Sequence, residues 1–384
     1  MKRFLKVRSL TNLLLQYSER LIEGVVIALI WANTNYISLQ QFLHWSPFGS
    51  PFGPNHPINF HFFINEIFMV FFFGIATQEI VQACLPGGAL NPMKKAMNPL
   101  ISTVGGVIGP VCVYFIFIKL TGHLDLARGW AVPTATDIAL AWLVARLAFG
   151  EGHPAIPFLL LLAILDDGIG LAIIAIFYPD PSHPVQPVYL FLVLAGILLA
   201  WQFRKKQVCS FWPYILIGGT MSWFGLYKAH LHPALALVPI IPFVPSITPL
   251  HNALNSFQAF FKKPVDIGLF GFGLANAGVP FSSIGPATWA VLLSLVIGKT
   301  LGITLFSMAA VKVGFSLPTG MRPKDLLVAA MTAGLGMTVA LFLAGVAFSD
   351  LPTQESAKMG ALLSIGMVIP VIIVAKFLKI KKTE

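Results

Sequence analysis

The sequence predicts an all-α polytopic membrane protein with about twelve transmembrane helices. Its 384 residues are 57% hydrophobic and only 10% charged, with a mean hydropathy of +0.81, whereas a soluble protein of this size carries about 25% charged residues. Apolar runs long enough to cross a bilayer as helices recur along the whole chain. We therefore interpret residues 1–384 as one integral membrane domain, with an N-terminal segment over 1–16 and a basic tail over 376–384.

The expected spans follow from the apolar runs, which polar or Pro/Gly-rich breaks separate. Their approximate centres, in chain order, are Ile27, Val70, Val107, Ile138, Asp166, Leu194, Ile217, Leu237, Phe270, Val296, Thr338 and Val368. The seventh and eighth runs are shorter than the others. An even number of spans puts both termini on the same side of the membrane.

The distribution of basic residues predicts that this side is the cytoplasm. With both termini inside, the outer side receives only Lys119, Arg128, Lys228 and Lys358, and Lys299 falls inside a span. All other lysines and arginines fall on the inner side, which is the bias that orients membrane helices. The net charge of +10 is explained by this topology, so the lipid bilayer is the expected partner and nucleic acid is not. A homodimer is left open.

Two of the expected spans, the fourth and the eleventh, are interrupted. The fourth holds a proline, two threonines and an aspartate over residues 131–137, and the eleventh holds glycines and threonines over residues 332–338. Unwound backbone at membrane depth is tolerated only where protein buries it or a wet cavity lies nearby. Because each is second in a group of three spans, the pair predicts a transporter with inverted-topology repeats, whose site lies at the midplane.

Four ionisable residues fall inside the expected spans: Asp137, Asp166, Asp167 and Lys299, with Thr136 beside the first. A carboxylate at the centre of a span costs about 2.5–3.5 kcal/mol on insertion scales, so acids kept there usually handle a cation or a proton. Asp166 and Asp167 project about 100° apart on a helix, so one can face a cavity while the other faces a neighbouring helix. Carboxylate oxygens suit Na⁺ or Li⁺, and the set contains no His or Cys for a transition metal.

Four segments resemble the NhaA family of bacterial sodium/proton antiporters. They are Ala-Thr-Asp-Ile-Ala at 135–139, Ala-Ile-Leu-Asp-Asp at 163–167, Ala-Asn-Ala-Gly-Val at 275–279 and Gly-Lys-Thr-Leu-Gly-Ile at 298–303. The resemblance runs in order over nearly the whole chain. It implies an electrogenic Na⁺(Li⁺)/H⁺ antiporter of a bacterial inner membrane that exports sodium by alternating access. Such a protein is not an enzyme and requires no cofactor.

The resemblance also implies roles for individual residues. By match, Asp167 is the main Na⁺ or Li⁺ ligand, and Asp166 assists it or pairs with Lys299. Thr136 fits a threonine near the ion. The resemblance also implies that the interrupted helices of spans 4 and 11 cross at the midplane, where Asp137 and Lys299 offset their half-helix dipoles.

The chain departs from the family at the cytoplasmic funnel, where a cluster of titratable residues is linked to the pH response. Glu66 and Glu79 match acids of the family and His251 matches a histidine, although Glu66 is also explained as an interfacial carboxylate. Four positions expected to carry charged or titratable groups hold other residues, namely Gln82, Ala83, Leu250 and Asn255. We therefore expect a gradual dependence of transport on pH.

The intramembrane charges also fit three alternatives to an antiporter site. The first is a buried structural ion-pair cluster, and the second is a non-transporting membrane sensor derived from an antiporter. The third is an intramembrane aspartyl protease, which also uses two membrane aspartates. Its glycine-anything-glycine-aspartate motif is absent, because Leu165 and Asp166 precede Asp167. An intramembrane lysine such as Lys299 would also disturb a proton shared by two carboxylates.

Overall fold

The computed structural model describes residues 19–47, 49, 58–91, 93–179, 184–246 and 252–382. Every regular element in those ranges is a helix, and the described ranges contain no β-strand. This result confirms the all-α prediction.

The helices are numbered here in chain order. They are α1 (19–34), α2 (Tyr36–His44), α3 (Phe60–Cys84), α4 (Met93–Thr121), α5 (Ile138–Phe149), α6 (Ala155–Phe177), α7 (Pro187–Lys205), α8 (Thr220–Lys228), α9 (Ala253–Asn276), α10 (Pro286–Lys312), α11 (Pro323–Ala333), α12 (Thr338–Ala347) and α13 (Leu351–Phe377). A 3₁₀ helix, Leu124–Thr134, precedes α5.

Six of these helices (α3, α4, α6, α7, α10 and α13) are long and apolar enough to cross a membrane. Two bent pairs pass the same test when each pair is counted as one span. In the first pair, Leu124–Thr134 meets α5 at 61°, and residues 135–137 form the first interruption. In the second, α11 meets α12 at 48°, and residues 334–337 form the second interruption. The described residues thus make a multi-pass membrane protein with six to eight candidate spans.

The region around Leu237, where an eighth span is expected, does not form one continuous helix. Its backbone makes two short 3₁₀ helices, Pro233–Leu235 and Ile241–Phe243, joined by turns. Prolines at positions 233, 239, 242 and 245 explain this, because each removes a backbone donor and clashes with the preceding helical turn. The count of twelve spans therefore stays a prediction.

The described helices belong to two compact units. Unit one takes its described residues from Met1–Ile22, Ala83–Gly170 and Val279–Glu384, and unit two from Glu23–Gln82 and Leu171–Gly278. Both interruptions lie in unit one, together with the aspartate pair of α6 and with Lys299 of α10.

Helices α4 and α10 of unit one touch backbone to backbone. Gly105 and Gly109 of α4 lie against Gly298 and Gly302 of α10. A Cβ atom at Gly302 would lie 2.0 Å from the carbonyl oxygen of Gly105, and one at Gly109 would lie 2.2 Å from that of Gly298. Small residues at such a crossing let two membrane helices approach closely. Lys299, between the two α10 glycines, is fully buried by this packing.

Candidate functional site

The two interruptions contact each other inside unit one. The backbone N–H of Asp137, in the first interruption, donates a hydrogen bond of 2.7 Å to the carbonyl oxygen of Leu335 in the second. A Cβ atom at Gly336 would lie 2.7 Å from the carbonyl oxygen of Ala135. Glycine is therefore needed at position 336 for the two unwound backbones to come this close.

Asp137 caps the two helices that begin after the interruptions. Its Oδ1 accepts a hydrogen bond of 3.0 Å from the N–H of Leu140 in α5. Its Oδ2 accepts from the N–H of Thr338, at 3.2 Å, and from the Thr338 hydroxyl, at the start of α12. Helix N-termini carry unpaired N–H groups and a partial positive charge. One buried carboxylate therefore satisfies donors from both helices.

The side chain of Lys299, which belongs to α10, contacts the C-terminal end of the 3₁₀ helix that precedes the first interruption. Its Nζ donates to the carbonyl oxygen of Thr134, the last residue of that helix, and to Oδ2 of Asp166 at 2.5 Å. Both charged side chains are 0% exposed. A cation near a helix C-terminus offsets the partial negative charge there. Lys299 thus pairs with Asp166 of α6 and also offsets the partial negative charge at the C-terminal end of the 3₁₀ helix.

The two aspartates of α6 have different surroundings. Oδ2 of Asp166 also accepts a hydrogen bond of 2.7 Å from the Thr136 hydroxyl. That hydroxyl lies 3.1 Å from the carbonyl oxygen of Ala333, the last residue of α11. Asp167 is 7% exposed, against 1% for Asp166, and interacts electrostatically with Lys299. Asp166 is therefore the aspartate that faces the neighbouring lysine-bearing helix.

Among the described residues, the ligands that the site offers to a cation are oxygen atoms. Carboxylate, hydroxyl and carbonyl oxygens come from Asp166, Thr136 and Ala333, with Asp167 adjacent in the chain. Oδ1 of Asp166 accepts no hydrogen bond from any residue that the structure describes. Buried polar atoms are almost always satisfied, and a bound cation or proton would satisfy this one. Apart from this oxygen site, the described residues contain no cluster of three or more His, Cys, Asp or Glu side chains that could hold a metal ion.

Two of the residues expected at the funnel lie in unit two. Glu66 and Glu79 both belong to α3 of unit two, and the backbone carbonyl of Glu66 accepts a hydrogen bond of 2.8 Å from the Trp223 indole. His251 lies outside the described residues. At Gln82 and Asn255, where charged or titratable groups were expected, the two side-chain amides join α3 to α9 by a hydrogen bond of 2.5 Å.

Sequence reasoning missed two polar groups at this site. The sequence did not single out the Thr338 hydroxyl, which donates a hydrogen bond to Asp137, or the Ser364 hydroxyl, which contacts Gly336. Both are polar residues within apolar runs, which is a usable signal, but hydroxyls are common in membrane helices and often bond to their own backbone.

An ionic cluster joins the beginnings of α6 and α11, outside the candidate ion site. Buried Asp325 accepts from Nε and Nη2 of Arg322 at 3.0 and 3.1 Å, and Nε2 of His153 lies 4.0 Å from its carboxylate. Nδ1 of His153 accepts from the N–H of Ala155, so the neutral ring carries its proton on Nε2. The ring stacks on Phe149. Burial lowers the pKa of His153, Asp325 opposes this, and Arg322 adds to it.

We expect the melting temperature in detergent to fall as the pH drops below about 6.5, the usual pKa of histidine. Because the folded-state pKa of His153 is lowered, the unfolded chain takes up a proton first. The stability it contributes is present above the unfolded pKa and is lost as the pH falls toward the folded pKa. The His153→Asn variant keeps an acceptor for the N–H of Ala155 but cannot be protonated. Its melting temperature should therefore vary less with pH than that of the wild type over about pH 5 to 7.

The control is His123→Asn, because His123 is a half-exposed histidine of the same unit that lies 4.0 Å from exposed Asp125. This variant should keep the wild-type pH dependence of the melting temperature. An unchanged slope in His153→Asn would show that another group carries the dependence.

Known proteins are similar to this chain over almost its whole length. The family model described as "Na+/H+ antiporter 1" matches residues 13–377. A Na(+)/H(+) antiporter NhaA of Geobacter sulfurreducens is 54% identical over 387 residues, which cover 98% of this chain and 100% of that protein. The antiporter NhaA 2 of Pelobacter propionicus is 52% identical over 97% of this chain and 99% of its own length. A Jannaschia NhaA is 43% identical over 97% of this chain and 99% of its own length.

Proposed function

This chain belongs to the Na⁺/H⁺ antiporter 1 family, and on that premise we propose that it exports Na⁺ or Li⁺ in exchange for protons. It is a secondary transporter and not an enzyme. The observation that carries the proposal is the buried cluster of Lys299, Asp166 and Thr136 beside the contact between the two interruptions, with Asp167 next to it. A carboxylate there that binds either H⁺ or Na⁺, but not both, is sufficient for exchange.

Competition at the aspartate pair drives the cycle. Alternating access exposes Asp166 and Asp167 to each side in turn, so protons displace Na⁺ outside and Na⁺ displaces protons inside. The Thr136 hydroxyl has one hydrogen and two acceptors within reach, Asp166 and the carbonyl of Ala333. When a cation neutralises the carboxylate, the hydroxyl donates to Ala333 and its oxygen becomes a cation ligand.

The membrane potential contributes to the exchange. If two protons enter for each Na⁺ that leaves, as the family resemblance implies, one net charge moves inward per cycle. A potential of 100 mV then supplies about 2.3 kcal/mol per cycle. No cofactor takes part, and Na⁺ or Li⁺ is cargo at Asp166 and Asp167.

The finer architecture belongs to the same proposal. We place twelve spans in a bacterial inner membrane, with inverted repeats around the two interrupted helices and with both termini in the cytoplasm. The two bent pairs and the inner-side bias of Lys and Arg support this arrangement. Segment 1–16 and tail 376–384 are then cytoplasmic. The whole chain is one transport domain, and this arrangement is compatible with a homodimer.

The proposal is tested with purified protein in liposomes that contain a pH-sensitive dye. An inward Na⁺ gradient is expected to drive proton efflux, Li⁺ is expected to replace Na⁺, and K⁺ serves as the specificity arm. Folded, correctly inserted protein that moves no protons in response to Na⁺ or Li⁺ would contradict the proposal. That result would favour the non-transporting sensor.

We expect the exchange rate to vary gradually with pH and the curve to shift with Na⁺ concentration. Simple competition between H⁺ and Na⁺ at a coupled carboxylate pair gives such a curve, and the neutral Gln82–Asn255 contact supplies no titrating switch. The measurement is the initial rate from about pH 6 to 9 at low and at saturating Na⁺.

His251→Ala is the companion variant, since His251 matches the family histidine in this region. It should move the curve only slightly. Steep activation at a fixed pH, insensitive to Na⁺ concentration, would mean that a separate pH sensor operates elsewhere in the chain.

A further inference from the structure

Ser364 is a buried polar residue in the apolar helix α13, and its hydroxyl reaches beyond its own helix. Its Oγ lies 2.6 Å from the carbonyl oxygen of Ala361 and 3.3 Å from both the nitrogen and the carbonyl oxygen of Gly336. A hydroxyl has one hydrogen to donate and two lone pairs to accept with. Because Ala361 is the nearer acceptor, the hydrogen goes there and the Ser364 oxygen accepts the N–H of Gly336.

Gly336 lies in the second interruption, two residues before α12. The N–H groups at the beginning of a helix have no partner within that helix, and unwound backbone at membrane depth needs partners for its polar groups. Ser364 supplies that partner. The same part of the second interruption contacts the first interruption. The carbonyl oxygen of Leu335 accepts a hydrogen bond from the N–H of Asp137, and Gly336 lies against Ala135.

The contact is linked to the candidate ion site through backbone. The second interruption begins directly after Ala333, whose carbonyl oxygen lies 3.1 Å from the hydroxyl of Thr136. The same hydroxyl donates to Asp166. Among the residues that the structure describes, the Ser364 hydroxyl hydrogen-bonds only to Gly336 and Ala361.

We propose that Ser364 is a positioning residue for cation exchange, which holds the second interruption against the first and thereby sets the spacing of the oxygen atoms around Asp166. This inference rests on the proposed antiport function. Ser364 acts through the Gly336 peptide, so its loss changes how tightly a cation is held more than how fast the loaded protein turns over.

The central test is Ser364→Ala in proteoliposomes. Losing one buried hydrogen bond should raise the KM for Na⁺ about three- to tenfold. The kcat should stay within about twofold of wild type, because a change confined to KM reflects lost ground-state binding. The shift of the melting temperature caused by added Na⁺ should shrink in parallel.

Three further variants separate positioning from general loosening. Ser364→Cys keeps the approximate volume but has a weak acceptor, so it should also raise KM, and it serves if the alanine variant does not fold. Ser364→Thr keeps the hydroxyl and should restore the wild-type KM. Ser294→Ala is the matched control, because Ser294 is equally buried and donates at 2.6 Å only to Ala290 of its own helix.

The outcomes distinguish this inference from the function on which it rests. Wild-type protein without Na⁺-driven proton flux would overturn the antiport proposal itself. Normal wild-type exchange with an unchanged KM in Ser364→Ala or Ser364→Cys would overturn the positioning role alone. So would an equal rise in KM in Ser294→Ala, since any buried serine would then have the same effect.

Discussion

Replacing Asp167 with asparagine is expected to abolish Na⁺/H⁺ exchange. An amide cannot alternate between a charged form that binds Na⁺ and a neutral form that carries a proton, and the other aspartate of the pair, Asp166, is held by a hydrogen-bonded ion pair with Lys299. Asp166→Asn should cause a severe but incomplete loss, because Asp166 is already held by Lys299 at 2.5 Å. The measurement is the initial rate of Na⁺-driven proton flux in proteoliposomes at saturating Na⁺.

The control for this pair is Asp125→Asn. Asp125 also belongs to unit one, but its side chain is 73% exposed and lies on the 3₁₀ helix before the first interruption. This variant should exchange at the wild-type rate, which excludes a general effect of removing negative charge. Exchange at that rate by Asp167→Asn, at normal expression, would contradict the proposed mechanism.

The sequence singled out the charged residues of the candidate site, because charged residues are costly inside apolar runs. Asp137, Asp166 and Lys299 stand out on that ground, and the structure brings them to the region where the two interruptions contact each other. Helical geometry predicted that the two aspartates of α6 face different ways. It could not say which one faces Lys299, because periodicity fixes direction relative to one helix and not the position of its neighbours.

Other features depended on contacts between distant segments and could not be predicted. Ser364 and Gly336 are 28 residues apart, and nothing in either local sequence indicates their pairing. The region around Leu237 is apolar enough to suggest a span, but its repeated prolines prevent a continuous helix. Apolar composition reports burial or membrane contact, whereas backbone hydrogen bonding decides whether the segment is a helix.

The glycines around Lys299 were recognised in the sequence only as part of a family motif, and the structure gives their physical reason. Gly298 and Gly302 bring α10 against the backbone of α4, and Lys299 lies between them. We therefore expect Gly302→Ala to be strongly damaging. The added Cβ would lie 2.0 Å from the carbonyl oxygen of Gly105, and a backbone atom cannot turn aside as a side chain can.

Because α4 and α10 have to separate in Gly302→Ala, the 2.5 Å contact between Lys299 and Asp166 should lengthen. Overpacking of this kind costs about 1–3 kcal/mol of stability, so the melting temperature in detergent should drop and Na⁺-driven proton flux should fall to a small fraction of wild type. Gly366→Ala is the matched control, since Gly366 lies in α13 of the same unit and no atom of the described residues lies within 4 Å of its Cβ position. That variant should melt and exchange as the wild type does. A Gly302→Ala protein with wild-type melting and exchange would show that α4 and α10 tolerate a wider spacing and that this contact does not position Lys299.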